Sequence, residues 1–309
     1  MDCCFFCSKS TIDFYLLSSF IKNPNNQREI QIMKQSCIFI LLLLSTYCFS
    51  SANETEKENR FNAEKDLLVM QFDCKTDVDD IHSAAAFKTL LSSPEFKKVN
   101  YFAVAGTYGI QEGLYVPPNE LFQQAFNDKW ADAHANRTKA IEQMKEITLK
   151  CLQKGGNVWI AEAGQSDFSA ALIKAIQKHT HEINTTERIH IVQHSNWNEE
   201  VTSPESLAYA KANSNYHKIP DGNAVGNGTP GFRTPGYSDW KTKVKDAELL
   251  KLWQLAVEIG LKYNDKDGRY NNEAVAAGGL DFSDLSEVCW ILGLQDINDT
   301  DEFFNTFGR

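Results

Sequence analysis

The sequence predicts an α/β fold: a single three-layer domain built on a mostly parallel sheet. Three observations predict it. Short apolar runs of strand length alternate with longer segments of helical periodicity. Strands and helices that alternate in this way give a parallel sheet with helices on both faces. Polar clusters follow the strand-like runs directly, at the edge where open α/β sheets bind ligands.

The elements are justified in chain order. Residues 1–32 carry no pattern that calls for a structural role. Met33-Lys-Gln-Ser, an apolar run from Cys37 to Phe49 and Ser50-Ser-Ala52 have the order of a signal peptide over 33–52, cleaved after Ala52. An uncleaved anchor is the rival, but the apolar run is short for a membrane span. Residues 53–65 are polar and charged and read as a disordered leader, so the folded domain is expected over 66–309. Leu67–Phe72 is an apolar strand, and Ile81–Leu91 reads as a helix. Asn100–Gly106 is the second strand. Residues 119–154 are helical, with a break near Asn127-Asp-Lys129 and a stop at Gly155-Gly156. Asn157–Gly164 is a strand. Asp167–Gln177 is an amphipathic helix with Ser166 or Asp167 as its cap. Arg188–His194 is a strand, Leu207–Lys211 a short helix, 219–240 a long loop and Lys245–Tyr263 a helix. Leu285–Leu292 closes the series, with Asp281 or Asp284 at its start.

The totals exclude some classes. A net charge of −10 opposes binding to a nucleic-acid backbone and suits an exported protein, secreted or periplasmic, that carries divalent cations. Of eight cysteines, only Cys74, Cys151 and Cys289 follow the predicted cleavage point. Their spacing is neither a disulfide framework nor a zinc site, so burial as small apolar residues is expected.

Asp73-Cys-Lys-Thr-Asp-Val-Asp-Asp80 places four carboxylates in eight residues, on the turn from strand to helix. Acids so close repel unless a cation or shared protons compensate. The bland alternative is an acidic helix cap. An oxygen-rich, thiol-poor set selects a hard ion, with calcium expected. Three further clusters follow strands: Gly106–Glu112, Glu162–Asp167 and His194–Glu199. A parallel sheet brings all four to one edge. The loop Asp221–Phe232 offers Asn223 and Asn227 as amides for hydroxyl groups, or is simply a glycine-rich connector with an Asn227-Gly-Thr229 sequon. Glu162 is another candidate hydroxyl binder, and Trp197 a stacking face. Asn271-Asn-Glu273 and Gly278–Asp284 form the last cluster.

These residues resemble the inosine–uridine-preferring nucleoside hydrolases. The acidic motif after the first strand, the glycine turn after the second, Gly164–Ala170 at a helix start, Gly226-Asn-Gly-Thr-Pro230 and a late Asp occur in that family's order over roughly 66–292. The resemblance implies a nucleoside-hydrolase-like domain that hydrolyses N-glycosidic bonds of small-molecule nucleosides or sugars, with one calcium ion. It implies Asp73, Asp79, Asp80 and a late Asp, Asp281 or Asp284, as calcium ligands, with the backbone carbonyl of Asp167. It also implies that calcium orients ribose hydroxyls and an attacking water whose proton goes to an Asp of the motif, and that Asn227 binds the sugar. The sequence departs from the pattern at Lys75, which falls on the family's base, and at Thr76 and Asp77, which replace Pro and Gly. Asp77 is the candidate replacement base. The His that often precedes the late Asp is missing, and His82 and His194 are candidate substitutes. A non-catalytic, metal-dependent sugar or nucleoside binding protein is the alternative that Lys75 favours. A phosphoesterase lacks its His-rich two-metal pattern. A homo-oligomer is compatible with all of these.

Overall fold

Strand β1 (Leu67–Phe72) is buried along its whole length, and its alternate side chains feed two different cores. Leu68, Met70 and Phe72 pack on one face, whereas Leu67 and Val69 pack on the other. The computed structural model describes residues 60–224 and 229–308. The signal-peptide segment 33–52, the extension 1–32, residues 53–59 and Asn227 lie outside them. Residues 60–65, read from sequence as the end of the leader, form a turn closed by Lys65 N–H on Asn62 O at 3.1 Å. Phe61 is buried in the first core, which is what holds this segment on the domain.

The chain then runs through α1 (Asp79–Ser92), β2 (Tyr101–Ala105), α2 (Asn119–Phe126), β3 (Trp130–Asp132), α3 (Ala133–Gln153), β4 (Val158–Ala163) and α4 (Asp167–His179). It continues through α5 (Thr185–Arg188), β5 (Ile189–Gln193), α6 (Asn196–Glu200), α7 (Pro204–Asn213) and β6 (Asn215–Lys218). The last part holds β7 (Arg233–Thr234), α8 (Trp240–Lys243), α9 (Ala247–Tyr263), α10 (Glu273–Ala276), β8 (Leu280–Asp281), a 3-10 turn (Ser283–Leu285), α11 (Ser286–Leu292) and α12 (Thr300–Phe307).

Six strands form one sheet in the order β3-β2-β1-β4-β5-β6, and every neighbouring pair is parallel. β7 and β8 make a separate antiparallel pair. The architecture is therefore the three-layer α/β domain that the alternation implies. α1 and α9 cover one face of the sheet; α3 and α4 cover the other. Phe72 and Trp253 are among the largest fully sealed side chains, and truncating such a residue to Ala costs about 3–5 kcal/mol.

The helix expected over 119–154 is divided. Asn127 ends α2 with φ 53, and the three-residue β3 pairs with β2 before α3 begins. β6 was not expected either, because its residues Asn-Tyr-His-Lys lack an apolar run; it is an edge strand. Neither Ser166 nor Asp167 caps α4 with its side chain. Ser166 instead donates to Glu162, and Asp167 accepts from Ser203. Cys74, Cys151 and Cys289 are all buried and unpaired, as expected of small apolar residues. No helix among the described residues is long and apolar enough to cross a membrane.

β1 lies between β2 and β4, so the chain leaves the sheet in opposite directions on its two sides. A crevice opens there, at the C-terminal ends of the strands. Gly164, just past β4, lets the two strand ends close up: a Cβ on it would sit 2.7 Å from Asp73 Cβ, at a φ of +144°.

Candidate functional site

A cavity of about 330 Å³ occupies that crevice, a volume suited to a small ligand. The turn after β1 supplies Asp73, Lys75, Thr76, Asp77, Asp79 and Asp80 to its wall. Ala163 and Gly164 come from the end of β4, and His194, Ser195, Trp197 and Asn198 from beyond β5. Asn223, Arg233, Tyr270 and Asp284 complete it from the C-terminal third.

Asp79, Asp80 and Asp284 form the floor. Each offers a carboxylate oxygen, and these atoms all lie within 4.8 Å of one another. Asp80 Oδ2 accepts the N–H of Cys74 at 2.5 Å, while its Oδ1 is buried with no hydrogen-bond partner. Burial, then the charge of Asp284, pushes the Asp79 and Asp80 carboxyls well above the usual carboxylate range. Burial does the same to Asp284, with His194 pulling it down. A sealed acceptor without a donor, beside two more acids, is a donor set that fits a hard dication.

Asp73 lines the same pocket, but its oxygens already hold donors. Oδ1 accepts from Lys75 N at 2.7 Å, and Oδ2 from Gln165 at 2.9 Å and Gln111 at 3.1 Å. Burial still lifts its carboxyl to about 6. Gln111 and Gln165 thus carry the second and third polar clusters onto the first.

Asp77 Oδ1 accepts from Val78 N at 2.6 Å and from Asn272 Nδ2 at 3.0 Å. Asn272 is fully buried, and its other bonds fix it in place: it caps α10 through Ala274 N and donates to Asp281 at 2.8 Å. The Asp77 carboxylate is therefore oriented, with no donor recorded on Oδ2. Burial, then the nearby Asp281, raises it to about 7. Lys75 faces away from the floor. Its Nζ donates to Gln111 O at 2.7 Å and sits 4.5 Å from the centre of the Tyr108 ring.

His194 stands on the opposite wall with Nδ1 2.7 Å from Glu287 Oε1, both sealed. Burial opposes a charge on the imidazole, but Glu287 outweighs it and holds the ring at about 9. His82 lies outside the pocket. It packs under Gly260 and accepts Asp281 N–H at 3.2 Å, and burial lowers it to about 4.

The structure thus brings Asp73, Asp77, Asp79, Asp80, Asp284, Trp197 and Asn223 onto one cavity. It does not bring Glu162 or Asp167 there. Glu162 is fully buried beneath the cavity, holding Ser166 at 2.6 Å and Gln193 at 3.0 Å. Asp167 turns to Ser203, and the residues on the wall at the end of β4 are Ala163 and Gly164. Of the two late acids, Asp284 is on the floor, whereas Asp281 is sealed behind it against Asn272 and Ser283. Asn223 accepts from Ser283 Oγ at 3.1 Å. Sequence reasoning missed Arg233 and Tyr270. Both lie in segments without periodicity, and only the β7–β8 pairing places Arg233 beside Asp281. Compared with models of known protein families and with curated proteins, the chain matches none.

Proposed function

We propose that this chain is an exported, divalent-metal-dependent hydrolase of N-glycosidic, nucleoside-type bonds. One observation carries the reading. Three carboxylates converge within 4.8 Å at the sheet's switch point, and one of their oxygens is buried without a donor. Asp79, Asp80 and Asp284 would hold the ion, with calcium the expected metal. A bound dication there supplies the charge that orients sugar hydroxyls and acidifies a water.

The remaining steps belong to the chain's own side chains. Asp77 is fixed through Oδ1 by Val78 and Asn272, so Oδ2 is the atom that takes a proton from the attacking water. His194 is held beside Glu287 by its backbone N–H, which donates to Oε1 at 3.2 Å, and by the ion pair at Nδ1, so Nε2 is the atom that protonates the departing group. Trp197, 48% exposed, offers a flat face at the mouth of the cavity. Charge that develops on the sugar ring in an oxocarbenium-like transition state faces an acidic floor.

The test compares Asp77→Asn with Lys75→Asp on a panel of nucleosides and aryl glycosides in calcium. Asp77→Asn should lower turnover by roughly 100-fold or more and leave calcium affinity intact. Unchanged turnover removes Asp77 from the mechanism. Lys75 at the family's base position favours a second reading, a metal-dependent binding protein. Wild type that binds nucleosides without turnover, together with a Lys75→Asp variant that gains it, would support that reading instead. Export is tested by N-terminal sequencing of the secreted chain, which should begin near Asn53. An intact 1–52 segment on the mature protein would overturn export by this route.

A further inference from the structure

Arg233 is the one arginine on the cavity wall, and it is held in an unusual way. A structural arginine grips a carboxylate with two parallel N–H bonds. Here Nε alone reaches Asp281, at 3.3 Å. Asp281 does not depend on that contact for donors: Asn272 Nδ2 at 2.8 Å and Ser283 Oγ at 2.9 Å already serve it. Tyr270, also on the wall, lies beside the guanidinium and helps hold its proton. The Arg233 side chain keeps 27% exposure, and its terminal nitrogens make no ion pair among the described residues. A planar fork held at its base, with free donors beside a ligand cavity, is built to take an anion.

Resting on the nucleoside-type reading above, we infer that the ligand of this pocket carries an anionic group, a phosphate or carboxylate, which Arg233 binds while the acidic floor serves the sugar hydroxyls through a cation. Arg233 is then a specificity residue. The cavity wall carries one guanidinium, Arg233, beside Asp281, and three acids that converge within 4.8 Å of one another. Lys75 adds little to the guanidinium, because its ammonium is committed to Gln111 O and the Tyr108 face. Discrimination comes from pairing. A guanidinium whose pairing to Asp281 uses only part of its donors favours the ligand that engages the rest, and a neutral analogue does not.

Titration calorimetry of the full mature chain in calcium, with two matched pairs, tests this. Ribose against ribose 5-phosphate reads a phosphate on the sugar. Uridine against orotidine reads a carboxylate on the base. The anionic member of one pair should bind at least tenfold tighter in wild type, and which pair shows it identifies the source of the charge. That excess should fall at least fivefold in Arg233→Gln and return only in part in Arg233→Lys, which restores the charge but not the fork. If Arg233→Gln does not fold, Tyr270→Phe, at a residue 48% exposed, should still narrow the excess. Equal affinities within both pairs would overturn the inference alone. An excess that survives Arg233→Gln would do the same. No binding by any of the four compounds would overturn the inference and the proposed function together.

Discussion

Two buried polar regions sit on either side of Gly164, and they are built on opposite rules. Behind it, Glu162 lies in a network of donors. Ser166 and Gln193 hold its Oε2, Gln193 also reaches Gly164 O at 2.7 Å, and Asn198 donates to Gln193 at 3.2 Å. Burial lifts this carboxyl to about 7, so one proton neutralises it. In front of it, Asp79, Asp80 and Asp284 offer acceptors to one another, and burial and mutual repulsion raise them all. In the first region a single acid meets two side-chain donors on Oε2, while its Oε1 is buried without a partner. The second gathers three acids with few donors, a set that protons or a cation would balance. Neither burial nor an unpartnered oxygen separates the two; the number of acids sharing the donors does.

The comparison is sharpened most by calcium itself. At a hundredfold excess over Kd, a ligand specific to the folded state stabilises by about 2.7 kcal/mol. For a chain of this size that is a rise in Tm of roughly 5–10 °C. Asp80→Asn should abolish the rise and leave the calcium-free protein at least as stable as wild type at pH 8, because it removes one repelling charge. A wild-type Tm that ignores calcium would mean that the acids only cap α1.

The pH dependence of the calcium-free protein comes next. Asp73 titrates at about 6 and Asp77 at about 7 in the folded state, against about 4 when exposed. The folded state therefore binds more protons than the unfolded one between about pH 4 and 7, and stability falls as pH rises through that window. The loss should be about 4 kcal/mol, measured by denaturant titration at pH 5 and pH 8, and saturating calcium should reverse its sign. A calcium-free protein that gains stability over the same range would contradict it.

The donor-rich side should respond in the opposite pattern. Glu162→Ala strands Ser166 and Gln193 and should cost about 1–3 kcal/mol with the calcium response retained. Glu162→Gln keeps an acceptor where the protonated acid had one and should cost under about 1 kcal/mol. If Glu162→Gln removed the calcium response, the two regions would be one site.

Part of this was legible in the chain. The fold followed from Leu67–Phe72, Tyr101–Ala105, Val158–Ala163 and Ile189–Gln193, whose apolar runs are strands of a parallel sheet, all buried but for the half-buried Tyr101. The floor was legible in Asp79 and Asp80 because a strand, a turn and a helix put both at one edge. Polar Asn215–Lys218 gave no strand signal, since an edge strand needs no apolar run. Trp130–Asp132 is too short to interrupt a helical window. Glu162 looked like a ligand-facing acid because it ends a strand, but the sheet is covered on both faces and the side chain is sealed within it. The choice between Asp281 and Asp284 turned on a two-residue strand pairing, which no local pattern encodes.

The floor also has a consequence for the order of assembly. α1 meets the late acid across most of the domain: Ser83 Oγ donates to Asp284 Oδ2 at 3.4 Å across 201 residues. Contacts of such sequence separation close late and slowly, because the loop entropy must be overcome first. During synthesis the domain has almost wholly emerged before Asp284 exists to join Asp79 and Asp80. An ion bound by all three acids would therefore join the chain late, after Asp284 has met α1.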